Sequence, residues 1–404
     1  MKASLFAGAA LVLAIAAGPA AAQYSGDTVK LGVLTDMSSL YSDINGPGAL
    51  LATQMAVEDF GGKVNGKPIE VVSADTQNKP DIGISVGGKW LDVDGVDVIL
   101  GASSSAVTLA VQKMVGEKDS VLLVSDAASS TITGTSCNAN TIHWVYDTAA
   151  LANGTGSAVV KAGGDTWFFL TADYAFGYAL QKDVSEVVEA SGGKVLGAVR
   201  HPLNTSDFSS FVLQAQASGA KVVGMANAGG DTVNSIKAAS EFGLTQAGQK
   251  LAGLLVFITD VHSLGLDTAQ GLQLTSAYYW DRTEEGREWA KRFSARFDGK
   301  MPTSVQAGYY SSAMHYLRTV QEIGTDGPGT KIIAEMKKRK TDDPLFGKGY
   351  IRPDGRKMHD MYLLEVKKPS EAKGAWDYFK VVRTIPGNEA FRPMEKGGCP
   401  LVKG

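Results

Sequence analysis

Short apolar strands alternate with helices along most of this chain, and few folds accept that pattern. Strands at 29–34, 69–73, 96–100 and 121–124 are separated by helices at 48–60, 84–91 and 107–115. The helix at 48–60 carries Leu51, Met55 and Phe60 on one side, with Glu58 and Asp59 off it. Apolar strands followed by helices imply a parallel sheet covered on both faces. A polar stretch, 125–140, interrupts the series, and a second one follows. It has helices at 149–162, 177–190, 208–217 and 232–242, with strands at 166–170, 194–199, 222–226 and 251–258. The predicted architecture is therefore α/β, with two separate domains of similar design built on parallel sheets. Three helices in a row, 283–297, 303–323 and 330–338, have only short strands near them and are expected to return and cover the first sheet. The tail adds strand candidates at 361–366 and 378–382.

The beginning of the chain sets its destination. Met1-Lys2 is a short basic start, 5–17 is an almost unbroken apolar run, and Gly18-Pro19 breaks it before Ala20-Ala21-Ala22. This is the pattern of a secretory signal peptide, with cleavage expected after Ala22 and a soluble periplasmic chain from Gln23. The run is too short for a membrane span of about 20 residues. About 380 residues then remain, enough for two domains. With 44% hydrophobic and 20% charged residues and a net charge of -3, the chain has the composition of a folded protein. It carries no basic block that would mark a nucleic-acid partner. Of the 404 residues two are cysteines, Cys137 and Cys399. In an exported protein an even count suggests one disulfide, tying the C-terminal tail to a point a third of the way along. Two free thiols are the alternative, and a redox pair would need a Cys-x-x-Cys that is absent.

In open parallel sheets, ligands bind at the loops leaving the carboxyl ends of the strands. Three such loops in the first series are small and polar: Thr35 to Tyr41, Gly101-Ala102-Ser103-Ser104-Ser105, and Ser125-Asp126-Ala127-Ala128-Ser129-Ser130. Hydroxyls and backbone N–H groups at helix starts suit a carboxylate, although serine and aspartate also cap helices generally. The second series offers Asp173-Tyr174-Ala175-Phe176-Gly177, Asn227-Ala228-Gly229-Gly230-Asp231 and Thr259-Asp260. Aromatics there supply apolar walls, and Asp231 or Asp260 could pair with an ammonium. Enzyme signatures are sparse. No Gly-x-Gly-x-x-Gly follows the first strand, and neither a phosphate loop nor His-Glu-x-x-His occurs. The five histidines fall far apart, so no cofactor and no metal are expected.

With these residues in view, the chain resembles the periplasmic substrate-binding proteins of ABC importers for hydrophobic amino acids and amides, the leucine-binding-protein-like family. The marks are Val29-Lys30-Leu31-Gly32-Val33-Leu34, the Tyr41 loop, Gly101 with its serines and Ala110, Ala127-Ala128-Ser129, Asp173 to Gly177, and the segment from Gly347 to Gly355. The resemblance implies a type I periplasmic binding fold, with two Rossmann-like lobes on parallel sheets joined by three hinge crossings. The lobes are expected at 23–145 plus 280–347, and at 146–279 plus 348–404. It also implies that Ser104, then Ser105, holds a ligand carboxylate, helped by Ala127, Ala128 and Ser129. Tyr41 would cover the ligand from one side, Phe176 and Tyr174 from the other. Phe176 stands where the family usually has tyrosine. The acid that holds an α-ammonium in amino-acid binders would fall at or near Asp260, with Asn227 and Asp231 as further candidates.

The function expected is that of a monomeric receptor that captures a small carboxylate, either an amino acid or amide or an aromatic or organic acid. It would deliver this ligand to a permease and its ATPase subunits without chemical change. A ligand-sensing subunit and a secreted α/β hydrolase are the competing readings.

Overall fold

A computed structural model describes residues 24–402, so the expected signal peptide lies outside the described residues. Six strands make the first sheet: β1 (Val29–Thr35), β2 (Lys63–Val64), β3 (Lys67–Asp75), β4 (Val98–Gly101), β5 (Val121–Val124) and β6 (Thr141–His143). Their order is β2-β3-β1-β4-β5-β6, and all pairs are parallel except the β2–β3 hairpin. The Val-Leu-Leu-Val of β5 is wholly buried, as a strand with helices on both faces must be. The second sheet contains β7 (Thr166–Ala172), β8 (Lys194–His201), β9 (Val222–Ala226) and β10 (Lys250–Gly253), all parallel, in the order β10-β9-β7-β8. The alternation of the sequence thus becomes two parallel sheets.

The late helices return to the first sheet, as expected. Helix Ser304–Ile323 starts on a capping box, with Thr303 and Gln306 each accepting the other's backbone N–H, and ends at the left-handed Gly324. It packs along helix Gly46–Phe60. Two small sheets complete the chain. Strand β11 (Gln273–Ser276) is followed by β12 (Thr341–Asp343), β13 (Gly347–Ile351), β14 (Lys357–Met358), β15 (Met361–Val366) and β16 (Phe379–Ile385). β11, β15 and β16 form one antiparallel sheet, and β12, β13 and β14 the other.

Three sequence expectations change. First, the apolar run 251–258 is not one strand. Only Lys250–Gly253 pairs with β9, and helix Ile258–Leu264 begins just beyond. The intervening Leu254, Leu255, Val256 and Phe257 are buried outside the sheet, and Leu255 and Phe257 line a cavity. An apolar run reports burial and not its partner. Second, a lobe crossing at 347/348 would cut a paired strand. β13 is bonded to β12 on one side and β14 on the other, and the backbone N–H of His143 donates to Gly355 at 2.9 Å. Third, the end of the tail, beyond Phe391, does not stay with the second unit. Arg392 donates to the Ser130 carbonyl at 3.1 Å, and Cys399 is bonded to Cys137 with 5.5 Å between their Cα atoms. Among the described residues no helix is long and apolar enough to cross a membrane.

Candidate ligand pocket between the sheets

The loops at the carboxyl ends of β1, β4 and β5 meet those leaving β7, β9 and β10 around a small cavity. Gly101 closes β4 in the left-handed region (φ 92°), and a Cβ there would strike the Tyr309 hydroxyl. Ala102 (φ 114°) and Ser103 (φ 67°) continue at positive φ, a costly conformation for residues with a Cβ. Two bonds hold the turn: the Ala102 N–H donates to Leu34 O (2.8 Å) and the Ser103 N–H to Asp126 Oδ2 (2.7 Å). The turn presents Ser104 at the start of helix Ser105–Glu117, where its side chain makes no cap bond. Among the described residues, the Ser104 N–H and hydroxyl and the N–H groups of Ser105 and Ala128 find no protein partner. They form a set of donors at a helix N-terminus, the arrangement that binds an anion.

Aromatic and aliphatic side chains make the rest of the wall: Tyr41, Ile44 and Tyr146 on one side, Tyr174, Phe176, Leu255 and Phe257 on the other. The hydroxyls of Tyr41 and Tyr174 meet at 2.6 Å across the cavity. Burial holds both phenols above their ordinary range, so both stay protonated and able to donate. Asp126 is the acid of the lining. Burial pushes its carboxyl up to about 6, against the pull of Tyr309, Ser103 and Ala127, which all donate to it.

Of the residues singled out in the sequence, Tyr41, Ser104, Ser105, Ala127, Ala128, Tyr174 and Phe176 all line the cavity. Four do not. The Ser129 hydroxyl pairs with Thr131 (2.9 Å), and its N–H donates to Ser105 Oγ (3.1 Å), so it braces the loop. Asn227 donates to Ser235 and accepts from Thr232, inside the second unit. Asp231 accepts the N–H of Thr205 (2.9 Å) and of Asn204 (3.3 Å), which fixes that turn. Asp260 accepts the Phe257 N–H at 2.8 Å and thereby caps its own helix. Backbone N–H groups claim the two acids, and neighbouring hydroxyls claim Ser129 and Asn227. Sequence reasoning missed Ile44, Asn45, Tyr146, Leu255 and Phe257. Ser103, Asp126 and Ala228 sat unassigned inside loops already singled out. Phe257 was hidden by its apolar neighbours.

Asp260 has a measurable signature. Burial raises its carboxyl to about 7, opposed by the Phe257 N–H and helped by Asp43. The folded protein thus keeps a proton that the unfolded chain, with a pKa near 4, releases. Stability from this group is greatest below about pH 4 and falls as pH rises through 7. Between about pH 8 and pH 6 the wild type should gain stability over Asp260→Asn, on the order of 1 kcal/mol, read from urea unfolding at each pH. The buried histidines 143, 315 and 359, held low by burial, act in the opposite sense and are common to both proteins.

A Gly-x-Ser-x-Gly pattern does occur, at Gly83-Ile84-Ser85-Val86-Gly87. It lies inside helix Pro80–Lys89, not on the strand-to-helix turn that a hydrolase nucleophile occupies. Among the described residues no group of histidine, cysteine or acid has metal-binding geometry.

Two parallel-sheet units facing each other across an aromatic-walled cavity define a solute receptor of the type I periplasmic binding class. The family model for the periplasmic binding proteins matches residues 28–375, and the chain belongs to that family. A periplasmic binding protein from Burkholderia mallei is 57% identical, with a TM-score of 0.91 over 93% of this chain and 100% of that one. A branched-chain amino acid ABC transporter periplasmic ligand-binding protein from Burkholderia xenovorans LB400 is 41% identical, with a TM-score of 0.83 and coverage of 93% and 100%. An ABC transporter solute-binding protein from R. palustris, solved with benzoate, is 21% identical with a TM-score of 0.79 over 92% and 99%; it shares the fold. The chain is the periplasmic solute-binding component of an ABC transporter.

Proposed function

We propose that the ligand is a small carboxylate with an apolar body and no ammonium group. The observation that carries this reading is the state of the lining acid. Both carboxylate oxygens of Asp126 are taken by protein donors, so the cavity offers an anion four unpartnered donors and offers a cation no free acid. Asp260 and Asp231, the other candidates for an ammonium, are held by backbone N–H groups. The carboxylate would sit on Ser104, Ser105 and Ala128, with its body between Tyr146, Phe176 and Phe257. Thermal-shift and calorimetric titration against benzoate, 4-hydroxybenzoate, 4-methyl-2-oxopentanoate and leucine test this. The acids should stabilise the protein by about 2.7 kcal/mol at 100 times their dissociation constant. Leucine binding more tightly than its oxo-acid analogue would overturn the ligand class.

The protein acts on this reading as a carrier that passes its ligand unchanged to the permease. Histidine, lysine and cysteine are absent from the described lining, and His143 lies behind it, bonded to the Ala127 carbonyl. We place the lobes at 24–145, 280–358 and 392–402 for the first, and at 146–279 and 359–391 for the second, following strand pairing and the tail contacts. The mature monomer should begin at Gln23 and appear in the periplasmic fraction. Intact mass after osmotic release checks this, and a full-length chain in the membrane fraction would contradict it.

A further inference from the structure

Asp126 lines the same cavity as Ser103, Ser104 and Ser105, and an ionised carboxylate in that wall repels any anion bound there. Its bonds show a task that outweighs this cost. Oδ2 accepts both the Ser103 N–H (2.7 Å) and the Tyr309 hydroxyl (2.8 Å), and Oδ1 accepts the Ala127 N–H (2.9 Å). The Asp126 carbonyl accepts the Tyr146 hydroxyl at 2.7 Å. One buried residue thus ties together the loops after β4 and β5, helix Ser304–Ile323 and Tyr146. The bond to Ser103 matters most, because it ends a strained turn. Ala102 at φ 114° lies outside the regions open to a residue with a Cβ, and Ser103 follows at φ 67°. Among the described residues the Ser103 N–H has no other acceptor. Take Asp126 away, and the turn gains by relaxing toward negative φ.

We propose that Asp126, oriented by Tyr309, is the positioning residue of the ligand site: it holds the Ala102–Ser103 turn in the strained form that presents Ser104 to the ligand carboxylate. Asp126 acts through the turn and makes no bond to the ligand itself. Tyr309 keeps the carboxylate aimed, and Gly101 leaves room for its hydroxyl, since a Cβ there would strike it. A protein whose turn has relaxed must first regain the strained form before it can bind, so its affinity falls with the fraction that is competent. This inference rests on the carboxylate site at Ser104 proposed above, and not on which body the carboxylate carries.

The test is calorimetric titration with benzoate, and with leucine as a second probe, at pH 8, where Asp126 is ionised. Asp126→Ala should weaken the probe that binds by about tenfold or more, although the loss of a negative charge would by itself tighten an anion. Tyr309→Phe should lie between Asp126→Ala and the wild type. Adding Ala102→Gly to Asp126→Ala should recover about fivefold or more, because glycine takes positive φ without the Cβ penalty. A glycine at 102 can restore the turn but not a lost contact to the probe, so this rescue separates positioning from direct contact. Circular dichroism melts confirm that each variant is folded. If Asp126→Ala binds as tightly as the wild type or more tightly, or if Ala102→Gly recovers nothing, the positioning role is disproved. The carboxylate site then stands or falls on Ser104→Ala. If Ser104→Ala keeps wild-type affinity, or the wild type binds neither probe, that site fails and this inference falls with it.

Discussion

Ser104→Asp should abolish ligand capture while leaving the protein folded. The change puts a carboxylate among the donors of the anion site. Two like charges about 4 Å apart at an effective dielectric near 20 repel by about 4 kcal/mol, roughly a thousandfold in affinity. The fold should survive, because Ser104 is the N-cap of helix Ser105–Glu117 and aspartate is among the best residues there. Ser104→Ala removes one hydrogen bond to a charged group and should cost about ten- to a hundredfold. Ser129→Ala is the control, since its hydroxyl serves Thr131 and not the cavity; affinity should change by less than about threefold. Titration of the three variants with the best acid of the screen gives these ratios. Wild-type affinity in Ser104→Asp would move the carboxylate out of this loop.

The second large effect concerns the Cys137–Cys399 bridge. It closes a loop of 262 residues, so in the chain-entropy picture it restricts the unfolded chain by about 5 kcal/mol, the upper end of what disulfides contribute. It also holds the end of the tail against the first unit, where Arg392 reaches the Ser130 carbonyl. Cys137→Ser with Cys399→Ser should lower stability by about 3–5 kcal/mol in urea unfolding, and reductant should do the same to the wild type. Unfolding curves that coincide with and without reductant would show that the bridge adds nothing.

The two effects differ in how they could be foreseen. Ser104 was legible because a strand-to-helix loop with three consecutive serines exceeds what capping alone requires. The bridge was legible because two cysteines in an exported chain leave one pairing. Asp260 was misleading for a physical reason. An acid at the third position of a helix serves equally as a cap and as an ion-pair partner, and only the position of the Phe257 N–H chooses between them.

The sequence by itself determined the two parallel sheets, the family, the sulfur pairing, and seven residues of the pocket wall. These depend on local patterns: period, loop chemistry and cysteine count. Tertiary structure alone decided the rest. It brought Tyr146 and Phe257 into one cavity from segments about a hundred residues apart, engaged Asp126 with the Ser103 N–H and Asp231 with the Thr205 N–H, and returned the end of the tail to the first unit. The physical reason is that a side chain's role is set by which partner reaches it first, and for these residues that partner comes from how the chain folds back on itself.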